Sequence, residues 1–210
     1  MIKKNWKILL ITSIAILLPI VAGLILWNQL PDRMPSHWNA SGEIDGWSSK
    51  PFAVFGMPAI MLGFHWLCVL ATSADPKKTG HTPKMLNLVL WIIPVLHALL
   101  SIIVYAVALG QTVRVEIVMP VVIGLLLTIV GNYLPKCKQN YTIGIKIPWT
   151  LNSEENWNKT HHLAGWVWTF CGFGIMATGF IGIFWIPLSL ILPMVLIPVI
   201  YSYVLHRKGI

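Results

Sequence analysis

Charge is what this chain has least of. Only 10% of its 210 residues are charged, and Asp and Glu together number seven, where a soluble domain carries roughly a quarter charged residues. With 56% hydrophobic residues and a mean hydropathy of +0.73, a water-soluble fold is excluded and the chain reads as an integral membrane protein. Cysteine is also sparse. Cys68 and Cys171 lie in apolar runs and read as small buried hydrophobes, while Cys137 lies in a basic loop and reads as a chance surface thiol. Without a CxxC or an even framework, neither a disulfide scaffold nor a zinc site is expected. The sequence has no HExxH, no GxSxG and no paired intramembrane carboxylates, and Glu116 is the only acid within an apolar run. The expectation is therefore a non-enzyme without metal or cofactor.

Aliphatic runs are present in their place. A helix crosses the hydrocarbon in about 20 residues, and six runs qualify: 8–30, 51–71, 85–109, 116–134, 162–181 and 183–205. The first follows Lys3, Lys4 and Lys7. It is too long for a signal-peptide core and lacks a small-x-small cleavage site, so it reads as a retained anchor. With the N-terminus inside, twelve cations (Lys3, Lys4, Lys7, Lys77, Lys78, Lys84, Lys136, Lys138, Lys146, Lys159, Arg207 and Lys208) face three outside (Arg33, Lys50 and Arg114). The positive-inside rule then puts both termini in the cytoplasm. The net charge of +8 is topological and adhesive to anionic lipid; no basic stripe with stacking aromatics suggests nucleic acid. The fold class expected is all-α with six transmembrane helices. It divides into a two-span unit at 1–84 and a four-span unit at 85–210.

Two connections are too long to be simple turns. The outer one, about 31–50, is punctuated by Pro31, Pro35, Gly42 and Gly46, so it should be compact and turn-rich, with Trp38 and Trp47 at the headgroup level. Near His37 lie Asp32, Glu43 and Asp45, which suit either a metal or acid-base cluster or, more simply, turn-stabilising hydrogen bonds. The inner connection, about 135–161, begins with Tyr141, Ile143, Ile145 and Ile147 alternating with polar or small residues. Period two predicts an extended segment with an apolar edge toward the bilayer, ended by Pro148. After Pro148, Trp149 and Thr150 a helix should start, with Asn152 as N-cap and Glu155 as its capping-box partner. Trp157, Thr160 or His161, Ala164 or Gly165, and Trp168 then share one face of a helix entering the fifth span. This makes the inner loop an interfacial elbow between the fourth and fifth spans. Aromatic anchoring is the simplest role for Trp149 and Trp157, and headgroup contact for His161 and His162.

The stretch from Gly131 to Gly165, GNYLPKCKQNYTIGIKIPWTLNSEENWNKTHHLAG, resembles the signature of the SdpI family, bacterial membrane proteins named for immunity to a sporulation-delaying peptide toxin. The outer LPDRMPSHWNASGEIDGWSSK resembles the small loop domain of unknown function that often accompanies it. The resemblance covers essentially the whole chain, and its departures are Lys146 and Ile147 where the family pattern has Arg and Thr. Signature positions carried over are Asn132, Pro135, Asn140, Gly144, Lys146, Pro148, Trp149, Thr150, Trp157, Thr160, His161 and Gly165 on the inner side. On the outer side they are Pro35, His37, Trp38, Gly42, Trp47 and Lys50. The resemblance implies a protein of the bacterial plasma membrane that protects against a secreted killing peptide and holds a small cytoplasmic repressor at the membrane.

A competing class, a small transporter or intramembrane enzyme, would use His65 and His97 or the His37 loop. His65 and His97 lie within spans, where ionisable groups usually face the bundle interior; they suit an internal polar site or proton path, or neutral imidazoles bonded to a backbone carbonyl or Ser101. Gly174 and Thr178 form a small-xxx-small pair that suits internal packing or contact with a second copy of the chain. NQLP at 28–31 and NYLP at 132–135 echo one another as an inverted repeat would, although four-residue echoes are common by chance.

Overall fold

A computed structural model describes residues 2–77, 82–182 and 185–210. Lys78 of the cation count and Ile183 at the head of the sixth run lie outside the described residues. Among those described, six helices are long and apolar enough to cross a bilayer. They are α1 (Trp6–Ile25), α2 (Met57–Ser73), α3 (Pro83–Ala108), α4 (Val115–Tyr133), α6 (Glu154–Ile181) and α7 (Trp185–Arg207), with a short α5 (Pro148–Asn152) before α6. The expectation of a multi-pass helical membrane protein holds. The backbone packs as two units, Met1–Ser73 with Leu86–Val115, and Ala74–Met85 with Glu116–Ile210.

In the first unit, Leu9, Val69 and Leu90 join α1, α2 and α3 in one apolar cluster. A second cluster gathers Leu30, Met34, Val54 and Tyr105. There the Tyr105 hydroxyl donates to the Pro19 carbonyl at 3.1 Å. Gly23 makes room for this approach, since a Cβ on it would lie 2.7 Å from Val54 and 2.8 Å from the Tyr105 oxygen.

Among the described residues, strands occur only in the outer loop. Strands β1 (Arg33–Trp38) and β2 (Ile44–Ser49) pair antiparallel, with Arg33 opposite Ser49 and Trp38 opposite Ile44, and an irregularity around Ser36. A two-stranded ribbon is all edge, which is where Pro35 is tolerated. Its turn is closed by Asn39, whose Oδ1 accepts the amides of Ser41 and Glu43 at 2.9 and 3.0 Å, and by Gly42 at φ +80°. Met34, fully buried, fixes the ribbon to the apolar cluster beneath it. The expected compact loop is thus a hairpin, followed by one π turn at Phe52–Gly56 that opens α2.

In the second unit, α4 and α6 meet along a seam of small residues. A Cβ on Gly172 would collide with Thr128 and the Gly124 carbonyl, one on Gly165 with the Pro135 ring and the Gly131 carbonyl, and one on Gly179 with the Ile117 carbonyl. The facing positions 117/179, 124/172 and 131/165 advance by seven in opposite directions, so the helices are antiparallel with a heptad register. Gly174 instead faces Leu190 of α7, so these glycines serve packing within the chain. At 28 residues, α6 is roughly 42 Å long against a hydrocarbon of about 30 Å. Its first turns, which carry Glu154, Glu155 and Asn156, hold the elbow.

Candidate functional site

The elbow is built by a chain of buried polar contacts. Asn140, fully buried, nucleates it: Oδ1 accepts the amides of Thr142 and Ile143 at 2.9 and 2.7 Å, and Nδ2 donates to the carbonyls of Lys138 and Ile143 at 2.8 and 3.0 Å. The chain then crosses the face of α6 at Gly144. That residue sits at φ +116°, a region L side chains avoid, and a Cβ there would strike His161 and Trp157. Just beyond it, the Ile145 amide donates to His161 Nε2 at 2.9 Å, while His161 Nδ1 lies 2.8 Å from the Trp157 carbonyl. An acceptor at Nε2 and a carbonyl at Nδ1 require the neutral Nδ1–H tautomer. The imidazole stacks on Trp157 with centroids 4.0 Å apart and planes 20° apart, and Trp157 Nε1 donates to the Cys137 carbonyl at 2.7 Å.

The extended segment expected at 141–147 forms no strand: its backbone amides are taken by Asn140, His161 and Thr150 in place of a ladder. Pro148 opens α5, as its fixed φ favours at a first helical position. Thr150, fully buried, donates its hydroxyl to the Ile145 carbonyl at 2.7 Å and accepts the Ile147 amide at 3.1 Å. Asn152 is the last residue of α5 and is not the cap of the next helix. That cap is Ser153, whose Oγ accepts the Asn156 amide at 3.1 Å. Trp157 and His161 are both fully buried, which overturns anchoring for the first and headgroup contact for the second; His162, one position on, is exposed. Cys137 is likewise buried and not a surface thiol, whereas Cys68 is exposed on α2. Burial pushes the Cys137 thiol up to about 11, with a hydrogen bond from Asn140 opposing it.

On its other side the elbow is fastened to α7. Asn156 Nδ2 donates to the carbonyls of Ser202 and Ile210 at 3.0 and 3.2 Å, and its Oδ1 accepts from Ser202 Oγ at 2.6 Å and Thr160 Oγ1 at 3.1 Å. Trp149, half-buried, packs on Tyr203 and His206 with centroids 5.1 and 6.0 Å away. Gly165 meets the Pro135 ring, Lys146 reaches the Thr142 carbonyl at 2.9 Å from an exposed position, and Asn132 is exposed. Sequence reasoning misses Gln139, which caps α5 by donating to the Thr150 and Leu151 carbonyls at 2.7 and 2.9 Å. It also misses Asp75, whose carboxylate accepts from Tyr141 and Thr142. The one available signal is that Asp75 is an isolated acid in a stretch rich in lysine.

The hairpin gathers the outer residues differently. His37 and Asp45 pair across the ribbon through Nδ1 and Oδ1, Gly46 lies against His37 Cβ, and Arg33 sits 5.8 Å over the exposed Trp47 ring. Trp38 is half-buried and Pro35 buried. Lys50 ties the ribbon to the end of α1: its ammonium lies 3.2 Å from Asp32, 3.3 Å from the Trp27 carbonyl and 5.3 Å over the Trp27 ring. Within the same unit His65 and His97 are buried. His65 Nε2 is bonded to Thr12 Oγ1 of α1 at 3.0 Å, not to its own backbone, and His97 Nε2 has no partner among the described residues.

Comparison with known proteins places these two regions in family terms. Residues 136–203 match the model of the SdpI/YfhL protein family, and residues 14–62 match a domain of unknown function, DUF1648. The chain is 28% identical over 209 residues to the immunity protein SdpI of Bacillus subtilis (strain 168), covering 98% of this chain and 97% of that one. No solved structure matches.

Proposed function

We propose that the chain is a member of the SdpI family and a multi-pass immunity protein of a bacterial plasma membrane, protecting the cell against a secreted killing peptide. The observation that carries this reading is the end-to-end likeness to an immunity protein, which spans both the hairpin and the elbow. The cation count orients the molecule with its termini and elbow in the cytoplasm and its hairpin outside. In that orientation the hairpin, with Trp47, Arg33 and the His37–Asp45 pair exposed, is the surface a peptide arriving from outside meets first. The elbow, with Lys146 and His162 exposed above a buried framework, is the surface for an inner partner, a small repressor. The signature residues thereby divide into builders of the elbow (Asn140, Gly144, Thr150, Trp157, Thr160, His161) and its presented face (Lys146, Trp149).

The transporter or enzyme reading has weaker support, since His65 is engaged with Thr12 and His37 with Asp45. Expression in a peptide-sensitive bacterium tests the proposal, with survival and membrane recruitment of a fluorescent repressor as readouts. Protection is expected. A correctly inserted protein that gives neither protection nor recruitment rules the reading out.

A further inference from the structure

The chain changes unit on leaving α2. It enters the second unit at Ala74 and returns to the first at Leu86. Its anchor there is Asp75, 3% exposed. Asp75 Oδ2 accepts the Tyr141 amide at 2.9 Å and the Thr142 hydroxyl at 2.8 Å, and Oδ1 accepts the Lys77 amide at 2.7 Å. The turn this makes sends Lys77 Nζ to Gln139 Oε1 at 2.6 Å, and Gln139 in turn holds the end of α5. A buried carboxylate is costly unless its acceptors are filled, so this segment has been built into the elbow.

We infer that Asp75 is a positioning residue that couples α2 to the elbow: a displacement of α2 pulls on Thr142 and is passed through Asn140 and Ile145 to the Trp157–His161 stack. The physical basis is continuity. Asp75 is two residues past the end of α2 at Ser73. Thr142 is bonded to both Asp75 and Asn140, and Ile145 to His161. Charge-assisted bonds of this kind are the strong ones. The inference rests on the two-sided immunity reading, because it supplies the link between an outward surface and an inward one.

The test reads the elbow directly, without the peptide. In purified protein carrying Cys68→Ala and Cys171→Ala, Cys137 is the single thiol. It is buried, so its maleimide labelling at pH 8 reports elbow opening. Asp75→Asn is expected to raise the labelling rate about tenfold, and Thr142→Val, which removes one of the bonds and is the milder variant should Asp75→Asn fold poorly, about threefold. Gly23→Ala, which wedges Val54 and Tyr105 apart in the first unit, is expected to raise it as well, and to add nothing in the Asp75→Asn background. Unchanged labelling in Asp75→Asn or in Gly23→Ala overturns the coupling, and so do effects that simply multiply. Survival scored in parallel separates the two claims: coupling seen without protection defeats the immunity reading alone, and protection without coupling defeats this one alone.

Discussion

His161 Nε2 takes the amide hydrogen of Ile145 at 2.9 Å while its ring lies flat against Trp157, so one side chain satisfies the loop and seals the helix beneath it. Replacing it with Phe keeps the stack but strands a buried amide, which costs about 1–3 kcal/mol. His161→Phe is therefore expected to lower the thermal midpoint in detergent and to speed Cys137 labelling. A midpoint equal to that of the parent would show that the bond is idle. Nitrogen NMR of labelled histidine should find His161 as the Nδ1–H tautomer.

Trp157→Phe removes the donor to the Cys137 carbonyl and part of the stacking surface. An expected loss of about 1–3 kcal/mol separates a structural Trp157 from an interfacial anchor, whose replacement by Phe would leave stability nearly unchanged. The comparison is read by denaturant-dependent unfolding in mixed micelles.

Glycines along α6 and elsewhere should answer differently to the same methyl. Gly172→Ala collides with Gly124 and Thr128 and is expected to destabilise by about 1–3 kcal/mol, as overpacking does. Gly63→Ala on α2 meets nothing within 4 Å and is expected to be neutral or to stabilise by about 0.5–1 kcal/mol, the helix preference of Ala over Gly. Equal effects would remove the seam.

Thr12→Val deletes the hydroxyl bonded to His65 at similar volume. A loss near 0.6 kcal/mol, the usual scale for such bonds between transmembrane helices, is expected, with insertion and survival retained. Loss of protection at normal stability would instead give the His65 region a direct role.

The six spans are legible in the sequence because hydropathy alone determines them, and the helical face of Trp157, Thr160, His161 and Ala164 is legible because its period is local. Which of two adjacent histidines turns inward also lies within that phase: His161 is four residues from Trp157, and His162 is not. Ser153 and Asn152 are both good caps, and only the extra turn taken by Pro148 to Asn152 decides between them. The hairpin escapes pattern reading because Pro35 and Gly46 occupy strand positions and the ribbon has no long alternating run. Asp75 escapes it because its partners stand 66 and 67 residues away, a distance over which nothing in one sequence reports a contact.

The seven-residue cadence shared by α4 and α6 bears on what can move. Each backbone nests against a glycine or a carbonyl of the other, so sliding by one residue or one turn drives a side chain into main chain, and the next register that fits lies about 10 Å away. These two helices behave as a bolted strut. Any rearrangement of the second unit must then be borne by α7 and the elbow, whose bonds to Asn156 and Asp75 can open one at a time.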